Sequence, residues 1–151
     1  MNNSADVARN RKIRGLRINS FAAVVMLMIE FGLGIGVNLY ASLPASGNGK
    51  GVLGAFLSAI TDGPIALTLH ALLGTLLIVS AITVVVRASS VRRTPLTVIA
   101  GAGLLAVVLA WLSGARFVGS GGNGASLVMA LATGLAVLCY ATIVLIGALD
   151  V

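Results

Sequence analysis

Four apolar runs, at about 18–43, 64–86, 95–113 and 125–149, constrain this chain more than any other feature. A bilayer core about 30 Å thick takes roughly 20 apolar residues per helix, and each run is of that order. They occupy most of the 151 residues. The expected fold is therefore all-α: a transmembrane four-helix bundle, up-down-up-down, occupying 18–151 with no second domain. The composition agrees, because 58% of the residues are apolar and 9% are charged, against about 25% charged in a soluble domain.

The polar residues sort around these runs. Residues 1–17 carry Arg9, Arg11, Lys12, Arg14 and Arg17 with no apolar period, and read as a basic, disordered cytoplasmic tail meeting anionic head groups. Eight of the ten Lys and Arg lie in this tail or in the 87–93 loop, leaving Lys50 and Arg116 on the other side. The positive-inside rule then puts both termini in the cytoplasm of a multi-pass protein of the bacterial plasma membrane. The net charge of +6 does not indicate nucleic acid, since the basic residues flank apolar runs instead of interleaving with aromatics. A cleaved signal peptide is the rival reading of the first run. Its length, and Glu30 inside it, argue against cleavage.

Local signals set the connections. Pro64 and Pro95 stand where helices start, with Asp62 and Thr94 as N-cap candidates. In the 44–63 segment, Val52, Leu53, Phe56, Leu57 and Ile60 recur at helical spacing, as expected of a short interfacial helix over the outer end of the bundle; an irregular loop is the alternative. The connections at 88–94 and 114–124 are short, which makes sequential helices neighbours. Small residues four apart (Gly32 and Gly36; Ala102, Ala106, Ala110 and Gly114; Ala130 and Gly134) let helices approach closely in lipid, within the bundle or in a homodimer.

Chemistry is sparse. Cys139 is the only cysteine and can form neither an internal disulfide nor a thiolate cluster. One His, Glu30 and the interfacial Asp62 and Asp150 do not assemble a catalytic triad or a carboxylate pair, so an enzyme is not expected. The run Gly32-Leu33-Gly34-Ile35-Gly36 sits inside an apolar helix, unlike a phosphate loop. Ionisable side chains within a span cost roughly 2.5 to 3.5 kcal/mol on insertion scales, which singles out Glu30 and His70. Counting along the helices puts Glu30 near the middle of the first span and His70 about 9 Å to its external side, level with Met129. Laying 63–79 on 122–138 without gaps matches five residues and pairs His70 with Met129, as in a weak parallel repeat.

These residues support two classes of function. In the first, the chain is a non-catalytic accessory or binding subunit of a membrane complex, with His70 bonded to Asn38, Glu30 or a backbone carbonyl, and Glu30 and Asn38 forming a polar or proton site. In the second, His70 and Met129 ligate a b-type haem whose propionates meet Arg116 or Lys50, and the chain passes electrons between a quinone pool and an outer partner. A small transporter or proton relay built on Glu30 ranks third.

Two resemblances bear on this choice. The stretch Leu69-His70-Ala71-Leu72-Leu73-Gly74 resembles the ligand-histidine helix of four-helix membrane b-type cytochromes and haem A synthases, and implies His70 as an iron ligand. Those families use more than one histidine, and this chain has one. The phrases Asn38-Leu39-Tyr40, Ser113-Gly114-Ala115-Arg116-Phe117 and Ala125-Ser126-Leu127-Val128-Met129-Ala130 resemble small uncharacterised actinobacterial four-helix membrane proteins. That second resemblance implies the fold and no activity.

Overall fold

The computed structural model of the chain describes residues 3–45 and 49–149, so Asp150 lies outside the described residues. Among those described there are five helices and no strand: α1 (Asn3–Tyr40), α2 (Val52–Thr61), α3 (Ile65–Ser90), α4 (Thr94–Ser120) and α5 (Asn123–Leu149). All but α2 are long and apolar enough to cross a bilayer.

The four long helices close a ring in which α1 packs on α3 and α5, and α4 packs on α3 and α5, while α2 lies against α3 and α4. Contacts along each seam run in reverse order, so neighbours run in opposite directions. On the seam between α1 and α3, Gly34 meets His70 and Glu30 meets Gly74. Between α1 and α5, Arg17 lies on Gly147 and Asn38 reaches Ser126. Between α4 and α5, Gly103 meets Tyr140 and Gly114 meets Met129.

The packing is that of a bundle made for an apolar solvent. Its centre is rich in small residues, with Ala23, Ala81, Ala88, Ala100, Ala106 and Ala136 all buried. Large side chains such as Phe21, Met28, Leu105, Leu131, Leu138 and Leu145 point outward. In water this exterior would drive aggregation; in lipid it has no such penalty, and close backbone approach supplies the association.

Several boundaries depart from the sequence reading. The expected disordered tail is helical from Asn3 onward, because Ile13 and Leu16, seven and four residues before Ser20, fall on the face of α1 that joins the core; both are 1% exposed. Two apolar residues among five cations were too few to register as a period, but at this spacing they share one face. The tail is further tied by Lys12 Nζ, 3.5 Å from the Ser90 carbonyl, and by the Arg87 guanidinium over Gly15.

At the other end, α1 stops at Tyr40 and α4 continues through Ser120. The expected 114–124 loop is thus reduced to Gly121 and Gly122, with Gly121 left-handed at φ +63° and closing α4 through its N–H to the Phe117 carbonyl. A glycine adopts this conformation without steric cost.

Asp62 and Thr94 are not N-caps. The cap positions of α3 and α4 are Pro64 and Arg93, without side-chain capping bonds. Asp62 instead closes α2, its N–H donating to the Ser58 carbonyl, and Thr94 is already helical. The expected helix in the 44–63 segment is present as α2. It buries Ala55, Ser58 and Ala59, and Thr68 Oγ1 donates to the Ala59 carbonyl at 3.2 Å, fastening it to α3.

Candidate membrane-embedded site

Glu30 and His70, the two ionisable residues picked out inside the spans, meet. His70 Nδ1 lies 3.0 Å from Glu30 Oε1, yet among the described residues neither His70 Nδ1 nor Glu30 Oε2 has a hydrogen-bond partner. The approach is short but too bent for an aligned N–H···O bond, so hydrogen-bonding capacity remains on both groups. Glu30 is 8% exposed, which makes its unpartnered oxygen costly and therefore informative.

Two glycines make the meeting possible. A Cβ at Gly34 would stand 3.1 Å from His70 Cε1, and one at Gly74 would stand 3.0 Å from Glu30 Oε1. Each polar residue is followed four positions later by a glycine, one turn along its helix, and each glycine makes space for the polar residue of the facing helix. Depth counting separated Glu30 and His70 by about 9 Å. In the bundle their backbones differ by one turn, about 5.4 Å, which the two side chains bridge.

This pair borders a cavity of about 80 Å³, room for several waters or one small organic group. Trp111 and Phe56 close one side, their rings 5.2 Å apart and tilted by 48°. Met129 and Thr133 contribute from α5, so every long helix and α2 contribute to the wall. The remaining lining is almost wholly apolar.

The other polar groups of the wall are already committed. The Trp111 indole N–H donates to Thr75 Oγ1 behind the wall at 3.2 Å, and that hydroxyl donates to the Ala71 carbonyl at 2.9 Å. Thr133 Oγ1 donates to the Met129 carbonyl at 2.8 Å.

Of the other candidates from the sequence, Met129 shares the cavity with His70, its sulfur 3.3 Å from where a Gly114 Cβ would be. Asn38 does not reach the site. It is exposed on α1 and accepts a 3.4 Å bond from Ser126 Oγ. Arg116 and Lys50 are exposed and do not line the cavity. Among the described residues no group of three or more His, Cys, Asp or Glu is placed to hold a metal ion. Trp111, expected from the sequence in the same outer half as His70 and Met129, lines the cavity with them; sequence reasoning missed Phe56 as a wall element and Gly34 as the space for His70, and the spacing of Glu30 to Gly34 and of His70 to Gly74 was the available signal.

No family model, curated protein or solved structure matches the chain.

Proposed function

We propose that this chain is a four-span membrane protein with both termini in the cytoplasm, and that it acts by binding a small ligand in the cavity beside Glu30 and His70 rather than by catalysis. The observation that carries this reading is the unpartnered, buried Glu30 Oε2 on the wall of an apolar cavity. Most buried polar atoms are hydrogen-bonded, and this one differs from the unpartnered Tyr140 hydroxyl in bordering a cavity that can hold a partner. The charge distribution supports the orientation, with the Lys and Arg of the α1 extension and of the turn between α3 and α4 at one end. The cavity then lies in the external half, and the chain serves as a binding or accessory subunit in the plasma membrane.

Two measurements test it. Cysteines placed at Ser90 and at Ser120, in a Cys139→Ala background, are expected to label from the cytoplasm and from outside respectively; the reverse pattern defeats the orientation. A thermal-shift screen of small organic compounds on the purified protein is expected to find stabilisers whose effect is lost in Glu30→Gln. If no compound behaves so, the binding reading fails.

Haem ligation is the second reading, favoured by His70 and Met129 sharing one cavity. It requires α3 and α5 to part, because a space of about 80 Å³ does not enclose a porphyrin, and the cations expected at the propionates stand off the site. A Soret band in protein expressed with ample haem, lost in both His70→Ala and Met129→Leu, would establish it.

A further inference from the structure

We propose that the ligand of this cavity is a small organic cation, an alkyl or aryl ammonium, held by Glu30 against the Trp111 and Phe56 rings. The inference rests on the binding reading above and adds the class of ligand to it.

The donor and acceptor inventory of the wall selects the charge. The indole N–H of Trp111 and the hydroxyl of Thr133 already donate elsewhere, and among the described residues no Lys or Arg lines the cavity. An anion would find a carboxylate and few donors. The open polar groups of the wall are the Glu30 carboxyl oxygen Oε2 and the His70 Nδ1 beside it, with the weakly accepting Met129 sulfur. An occupant that satisfies Glu30 must therefore donate. Two aromatic rings beside the carboxylate favour a donor that is positively charged, since ring faces attract cations and do so more strongly away from water. The apolar remainder of the wall suits a short hydrocarbon body.

The experiment uses the full chain in nanodiscs of zwitterionic lipid, with emission of Trp111, the only tryptophan, as the signal. The probes are n-butylammonium, n-butanol and butyrate, of similar size and different charge. The expected result is a saturable response to butylammonium at least about tenfold tighter than to butanol, no saturable response to butyrate, and loss of the preference in Glu30→Gln. Equal binding of butanol and butylammonium, or tighter binding of butyrate, overturns the cation assignment while leaving a ligand cavity. Absence of any saturable response defeats the cavity reading as well. A preference for the ammonium that persists in Glu30→Gln also overturns the proposal, because the counter-charge would then lie elsewhere.

Discussion

Gly34 is to His70 what a socket is to a key: a methyl group on Gly34 would stand 3.1 Å from the imidazole Cε1. The facing relationship, Gly74 to Glu30, repeats it in reverse one turn away at 3.0 Å. The polar pair thus depends on two missing side chains as much as on the two present.

Gly34→Ala and Gly74→Ala are each expected to destabilise the bundle, by about 1 to 3 kcal/mol, because the added methyl must displace a buried ring or carboxylate. Gly32→Ala and Gly36→Ala, where a Cβ meets nothing within 4 Å, are expected to be neutral or slightly stabilising through helix propensity. Unfolding in mixed micelles compares all four, and equal losses at the four positions would contradict the socket arrangement.

A second close approach lies in the opposite half of the bundle. A Cβ on Gly103 would fall 2.8 Å from the Tyr140 ring, and Tyr140 is fully buried with no partner for its hydroxyl among the described residues. Gly103→Ala should cost about 1 to 3 kcal/mol, whereas Tyr140→Phe should be neutral or stabilising, since it removes a buried unsatisfied group. A double-mutant cycle of Gly103→Ala with Tyr140→Leu should show strong non-additivity.

For the Glu30–His70 contact, Glu30→Gln keeps shape and hydrogen-bonding capacity and is expected to fold with little loss of stability. His70→Ala opens a void and leaves Glu30 without its neighbour, and is expected to cost about 1 to 3 kcal/mol more than Glu30→Gln. Stability curves in detergent decide this; a His70→Ala variant as stable as Glu30→Gln would show that the contact contributes nothing to folding.

The helical extension of α1 makes its own prediction. Ile13→Ala and Leu16→Ala each remove a side chain 1% exposed and should destabilise by about 2 to 5 kcal/mol. An unstructured tail would tolerate both. Hydrogen exchange should likewise find the amides around Ile13 protected.

The spans were legible because a bilayer demands about twenty apolar residues per crossing, and Glu30 and His70 stood out against that background. Which residues faced each other was not. Apolar runs carry little of the polar alternation that marks an inward face, so the small-residue ladders pointed to Gly32 and Gly36, which touch nothing, and passed over Gly34 and Gly103, which accept neighbours. The helical tail escaped notice for the opposite reason: its cations hid two core residues. Ser113 and Arg116 were read as a span end and a loop because a polar residue and a charge interrupted the apolar run, yet the helix continues past both to Ser120.

Helix α1 runs unbroken by proline from Asn3 to Tyr40, carrying Gly34 and Glu30 beside the cavity and Arg17 against Gly147 at the far end. If it moves as a rigid rod, a small tilt at the cavity becomes a larger displacement at its basic end. From Glu30 back to Asn3 is about 40 Å of helix, so a tilt of about 5° pivoting at the cavity moves the basic end by about 3.5 Å. A molecule that enters beside Glu30 and tilts α1 would by that movement be registered at the opposite end of the bundle.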